Sequence, residues 1–487
     1  MREKLSFEVE PFSFQEFRNQ PNRCEGEFQT GSGERASYEI YQADESEDSL
    51  EGFVGSEHRD IGDLALGQRP TSIIYDESGK RLTFGEMIAL AGDYFATYFQ
   101  MAGLSRTQEG RANIAFARWR ALDMPKQQEP KVSDKVKDAV RVRYFVLASQ
   151  NISHFSAGGT AWSTYIASHS AAITDAFFAG EQSDAKTWQR AISKEGFACH
   201  FLTDIFSAGH VRTPRVAIRH WYGKHYPDSS QRFINYMARF MYSNLDKRNL
   251  LPPLAWWLSW VTRNTIGLRV KQLGGEAIRT FSLGDIVSLA LHDFDNRGLR
   301  VISDVDHNGN KVTGGYRWTA AGDAHLRTIK GATTKMMVVK AVKASYRELE
   351  RLYAAGKEAV GQKLSSSQRA DAVKKAMGLP FFAAKAFVPR EDLTANANVR
   401  LPGSGSGIAP LEWRWGNLGN VAYREVDITV KHGIADELFA RLRDVPDTVS
   451  AKGQTVRGVR HAFRSFIDRL RVDGIRVLEE AVGKKSR

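Results

Sequence analysis

Cysteine is almost missing from this chain: there are two in 487 residues, Cys24 and Cys199, and neither sits in a C-x-x-C pair. A disulfide framework is excluded, so stability must come from packing or from metal. Long apolar runs are missing as well. The most apolar window, 250–261 (LLPPLAWWLSWV), contains prolines and falls far short of the roughly 20 residues a spanning helix needs. The opening MREKLSFEVEPFSFQEF carries acids and aromatics where a secretory leader has a basic end and an unbroken apolar stretch. Sec-type export is therefore not expected, which leaves the cytoplasm or a signal-independent secretion route. There is no G-x-x-x-x-G-K-[ST] phosphate loop, and the stretch 403–407 (GSGSG) has Gly405 where a nucleophile-elbow serine would stand. No Lys/Arg run alternates with aromatics, so nucleic acid is not the expected partner.

What remains is an ordinary globular composition, 42% hydrophobic and 25% charged, long enough for two or three domains. Lys and Arg outnumber Asp and Glu by 68 to 56, a net charge of +12 that favours an anionic partner or surface. Residues 1–50 mix Gly, Ser and acids and read as an N-terminal arm. Apolar residues in 82–100 (LTFGEMIALAGDYFATYFQ) are spaced as one helical face, with Thr83 and Glu86 as a capping box. Helices are also predicted over 162–178, 188–206, 283–291, 335–360 and 457–482, and a hairpin over 301–318 around the turn HNGN. Strands are predicted over 411–431, after a flexible linker near 403–409. The fold class expected is mainly α: a helical domain over 51–300 and a smaller mixed α/β region over 301–487.

The segment EGFACHFLTDIFSAGHVRTPR (195–215) concentrates the chemistry. His200 and Asp204 are four apart and share one helix face, which Phe197, Phe201 and Ile205 also line. Burying an ionised carboxylate there is costly without a cation, and no Lys or Arg lies between Glu195 and Val211. A metal would answer this, with His210 brought back past Gly209; a neutral His200 hydrogen-bonded to Asp204 is the alternative. His58, Asp93, His154 and His292 each set a polar group against an apolar face as well, and so many such residues argue for a shared ion. His169, on an apolar face, reads as core packing or as support to that site. Asp304, Asp306, Asn308 and Gly309 resemble the start of a calcium loop, but Gly315 stands where its bidentate Glu belongs, so a hairpin turn is expected. Trp256, Trp257 and Trp260 suit either a core segment or the headgroup layer of a membrane.

The spacing His200-x-x-x-Asp204 with His210 six residues on resembles the zinc-dependent phospholipase C and S1/P1 nuclease superfamily. The phrases LTFGEMIALAGDYF, HFLTDIFSAGHVRTPR and LHDFDNRGL are similar to a bacterial phosphatidylcholine-hydrolysing group within it, known from pseudomonads and Legionella. The likeness spans roughly 55–326 at the level of motifs. It implies a multi-helix phospholipase C/P1 nuclease-like core holding three zinc ions. Asp93, His154, His200 and Asp204 would hold the first, His58 with the shared Asp204 the second, and His210 with His292 the third. The family's acid four residues after the last histidine is Asn296 here, so Asp295 is expected to complete the third site, with Asp293 and Asp323 in reserve. The family's amino-terminal ligand would be replaced by Glu57 or Asp63.

The implied activity is hydrolysis of the glycerol-side phosphodiester of glycerophospholipids such as phosphatidylcholine, by a metal-bound hydroxide, at a phospholipid membrane surface. Asp93 and Asp204 would be catalytic, with Arg212 and Arg215 contacting phosphate. An S1/P1-like nuclease or nucleotidase, and a non-enzymatic membrane-binding module, are the rival expectations.

Overall fold

Helices dominate the computed structural model, which describes residues 55–245, 282–395 and 426–483 apart from 150, 158, 324, 362–364, 378–381, 441, 443, 444, 452 and 453. The expected N-terminal arm, the window 250–261 with its tryptophans and the linker near 403–409 lie outside the described residues. Helix α1 (Gly55–Leu66) leads into a hairpin of β1 (Pro70–Ile74) and β2 (Arg81–Thr83), paired antiparallel. The predicted capping box then starts α2 (Phe84–Leu90): Thr83 Oγ1 accepts from Glu86 N, and the Glu86 carboxylate accepts from Thr83 N.

The single helix expected over 82–100 does not form. The chain leaves α2 at Ala91, steps through Gly92 at φ +72° and re-enters a helix only at α3 (Tyr98–Leu104), where Thr97 accepts from Gln100 N. Met87 and Leu90 on α2 and Tyr94 and Phe95 in the turn are still buried, so the apolar spacing is satisfied without helical continuity. The left-handed step needs glycine, and the turn it makes carries Asp93.

Helices α4 (Gln108–Ala121) and α5 (Asp134–Ser149) follow, then a 3-10 turn, Asn151–His154. Two long helices match the predictions, α6 (Ala161–Glu181) and α7 (Ala185–Asp204); short α8 (Ala208–Arg212) comes next, then α9 (Arg215–His225), α10 (Ser229–Ser243) and α11 (Leu283–Asn296). The predicted hairpin is β3 (Leu299–Val305) with β4 (Lys311–Ala320), in register at Val301↔Trp318. Asp306 accepts from the backbone of Asn308 and Asn310, the work of a turn. The amphipathic α12 (Ala332–Glu358) packs against α6 and α7, and α13 (Ser366–Met377) follows. Strand β5 (Arg390–Glu391) completes the sheet order β4-β3-β5. Residues 426–434 are helical where strands were expected up to 431. Then come α14 (Ala435–Ala440), the pair β6 (Thr448–Ala451) and β7 (Gln454–Arg457), and α15 (Val459–Val482). Among the described residues no helix is long and apolar enough to cross a membrane.

Two hydrophobic cores cut across the boundary expected at residue 300. The first joins residues 61–211 to 299–384; the second joins 218–291 to 426–482. Val426, Phe463, Phe466 and Leu478 close over α10 and α11, so the C-terminal helices cover part of the expected catalytic domain. The chain passes between cores three times, between Val211 and Ile218, between Leu291 and Leu299, and between Ala384 and Val426.

Candidate metal centre

Every histidine expected at the centre is buried there, carried by a different piece of backbone. His58 comes from the first turn of α1, His154 from the 3-10 turn before α6, His200 from α7, His210 from α8 and His292 from α11. Asp204, fully buried at the last turn of α7, lies among them. Its carboxylate is 2.7 Å from His154 Nδ1, 3.2 Å from His200 Nε2, 3.6 Å from His58 Nε2 and 3.8 Å from His210 Nδ1.

Among the described residues, two groups have the geometry to hold a metal ion: Asp93, His154 and His200, and His210, His292 and Asp323. In each, one ligand atom per residue lies within 4.8 Å of the others. Ligand bonds of about 2 Å put donor atoms about 3–4 Å apart, so both groups fit an ion. The donor set is imidazole nitrogen with carboxylate oxygen, which suits zinc and its neighbours better than calcium or magnesium.

Hydrogen bonds behind the rings aim them. His200 Nδ1 donates to Ile88 O at 2.8 Å, which turns Nε2 toward Asp204 and Asp93. His58 Nδ1 donates to Thr203 Oγ1 at 2.8 Å, and that hydroxyl donates to His200 O. His292 Nδ1 faces Asp293 at 3.1 Å, directing Nε2 toward Asp323 at 3.4 Å. Such outer partners fix tautomer and ring direction in metal sites. Burial alone would lower the His292 pKa, but Asp293 and Asp323 outweigh it and hold it at about 10, so this pocket favours a cation.

The backbone leaves room for the rings at two glycines. A Cβ on Gly92 would stand 2.5 Å from His200 Nε2 and 2.9 Å from His154 Cε1. One on Gly209 would stand 2.4 Å from His292 Cδ2.

Asp295, the first choice beside His292, does not join the histidines. Arg212 Nε and Nη2 bind its two oxygens at 2.7 and 2.5 Å, and Arg212 Nη1 reaches Glu391 at 3.4 Å. This correction follows from helix direction: Asp295 projects toward α8, and the loop after β4 supplies Asp323 to the histidines instead. Burial opposes the Arg212 charge, but Asp295 and Glu391 outweigh it and raise its pKa, so its guanidinium is held by these acids. Arg215 is also buried, stacked at 5.1 Å over Phe155, whose ring is 4.6 Å from His210 and 6.2 Å from His292.

Of the two acids expected in place of an amino-terminal ligand, Glu57 accepts from Leu326 N at 3.1 Å, which ties α1 to the Asp323 loop. Asp63 lies over the start of α2, beside Gly85 and Arg59. Asn296 Oδ1 accepts from Gly209 N and Ser207 Oγ, while its carbonyl accepts from Gly322 N, so it braces both sides of the second group. Sequence reading missed this role; the only signal was an amide where an acid was looked for.

His169 stands apart from the centre. Nδ1 donates to Glu195 at 2.7 Å and Nε2 to Glu348 at 3.0 Å, all fully buried, joining α6, α7 and α12. Burial would lower its pKa, but the two carboxylates raise it to about 10, so the ring is cationic at neutral pH.

No family of known proteins, no curated protein and no solved structure matches the chain.

Proposed function

We propose that this chain is a zinc-dependent phosphodiesterase of the phospholipase C type, cleaving the glycerol-side phosphodiester of glycerophospholipids such as phosphatidylcholine to diacylglycerol and the phosphorylated headgroup. One observation carries the reading: two adjacent His/Asp groups, drawn from six separate segments, flank the buried carboxylate of Asp204. A structural metal site is usually closed by four protein ligands, whereas the three of the second group leave a position for water and substrate.

The chemistry that bound zinc supplies here is charge neutralisation of the diester and a water acidic enough to serve as nucleophile near neutral pH. The chain's own residues do the rest. Asp204 sets the spacing between the two groups through its contacts with His154, His200 and His210. The Asp93 carboxylate, 4.0 Å from His200 Nε2, is the base placed to take the attacking water's proton. Arg215, beside Phe155 and the second group, is the cation for the phosphate oxygens, while Arg212 holds the backbone of α8 through Asp295.

The test is metal analysis with product release, on the wild type and on Asp204→Asn. Phosphocholine release from phosphatidylcholine is expected, abolished by chelation, with bound metal and turnover both falling at least about a hundredfold in the variant. Undiminished hydrolysis by Asp204→Asn, or nucleotide release in place of phosphocholine, would overturn the reading.

A further inference from the structure

The loop that supplies Asp323 continues into a tight apolar tip. His325 N bonds Gly322 O, Thr328 N and Oγ1 bond His325 O, and Gly331 N bonds Thr328 O, so residues 325–331 form successive closed turns. Two anchors hold its base to α1: Glu57 accepts from Leu326 N, and Asp60 takes the Arg327 guanidinium at 2.8–2.9 Å. Those anchors lie on either side of His58 in sequence, so the tip is tied to the helix turn that carries this histidine.

At its apex Ile329 is 96% exposed, the most exposed of the large apolar side chains described. A floppy loop could fold such a residue under; this one is held out by its own hydrogen bonds. Ala332 and Met336, three and seven residues on, continue an exposed stripe along the start of α12, with Met336 at 46%. Leu64, 56% exposed, lies one turn beyond Asp60 on the same face of α1. Cations border the tip: Arg327 and Lys330 are exposed, and Lys330 and Arg297 are close enough to act on His325 electrostatically. With Arg327 held by Asp60, an apolar apex beside Lys330 and near Arg297 complements an anionic lipid surface, where the side chain enters the interface and these cations meet headgroups.

We infer that the 327–336 tip is the element by which this protein docks on a phospholipid bilayer containing anionic lipid, turning toward the membrane the side of the molecule where α1 carries His58. The inference rests on the proposed phospholipase reading for its orientation toward substrate, but lipid binding is measured separately from turnover.

The experiment is co-sedimentation of the full chain, in the cold, with phosphatidylcholine vesicles with and without phosphatidylglycerol. Hydrolysis of a water-soluble phosphocholine diester is followed in parallel. Ile329→Asp should lower vesicle partition about tenfold or more, the loss expected from withholding one isoleucine from the interface. Lys330→Glu should lower it about fivefold at low salt and little at high salt. Ile329→Trp should restore or exceed wild-type binding, and Val472→Asp, at a 70% exposed site on α15, should leave it unchanged. Hydrolysis of the soluble diester should be unaffected in all four.

Ile329→Asp sedimenting like the wild type would overturn the inference, as would a wild type that stays in solution with every vesicle, whether or not it bound another protein. Soluble-diester hydrolysis without vesicle binding would sink the docking surface and leave the phospholipase reading standing. Vesicle binding without any hydrolysis would do the reverse.

Discussion

Replacing Gly92 by alanine puts one methyl group into the first metal group and little else. The added carbon would lie 2.5 Å from both Cδ2 and Nε2 of His200, about 0.9 Å short of an ordinary 3.4 Å contact. The nearest of its other neighbours is His154 Cε1 at 2.9 Å. Relief requires one or both rings to move by several tenths of an ångström, whereas a metal site tolerates about 0.2 Å in its ligand distances. The His200 ring cannot simply swing, because Nδ1 is tied to Ile88 O. Alanine at φ +72° adds a backbone cost of about 1–2 kcal/mol. Gly92→Ala should therefore lower Tm by only several degrees while weakening metal binding by at least about a hundredfold. Metal titration of the chelated protein, with thermal unfolding alongside, reads both quantities. A variant that binds metal as tightly as the wild type would refute the assignment of Asp93, His154 and His200 as a metal group; a variant that unfolds outright would show Gly92 to be chiefly structural.

Three further substitutions separate neighbouring carboxylates and test the buried histidine. Asp323→Asn should cost the second group its metal with little loss of fold, whereas Asp295→Asn should keep the metal and destabilise the protein by about 3–5 kcal/mol, because Arg212 would lose its main buried partner; metal-to-protein ratios and denaturant unfolding distinguish these, and the opposite pattern would restore Asp295 as the ligand. For His169, the folded-state pKa of about 10 lies above the ordinary 6.5, so its contribution is complete below pH 6.5 and is lost as pH rises through 10. Wild-type stability should thus fall on the alkaline side by more than that of His169→Gln, which lacks the titrating ring and starts lower; parallel pH profiles for the two proteins would rule the cationic ring out.

Much of this was legible in the sequence because local rules govern it. The capping box at Thr83 and Glu86, the long α6, α7, α12 and α15, and the β3–β4 hairpin all follow from periodicity and turn chemistry. The i,i+4 pair of His200 and Asp204 was legible for the same reason, being fixed by a single helix. The break at Gly92 was not, since the apolar residues on both sides are buried whether or not the helix continues. Asp295 was chosen over Asp323 from its place beside His292 on one helix. That choice ignored Arg212, which is 83 residues distant in sequence and claims Asp295 first. Nothing in a linear pattern shows which of two nearby acids a distant guanidinium will take.

The two cores give this failure a common cause. The first group lies wholly within segments of the first core; of the four residues expected there, Asp93, His154, His200 and Asp204, the fold brings ligand atoms of the first three within 4.8 Å of one another. The second takes His210 from the end of the first core, His292 from a helix of the second and Asp323 from a loop that returns after the sheet. Asn296 and the Arg212–Asp295 pair cross the same seam, so hydrogen bonds and charge already hold together the pieces that carry this group. Its composition is set by how two helical layers meet, a tertiary fact, and an ion bound there would link the cores as well as serve chemistry. By linkage, any free energy of binding that requires the docked arrangement must appear as stability of the seam.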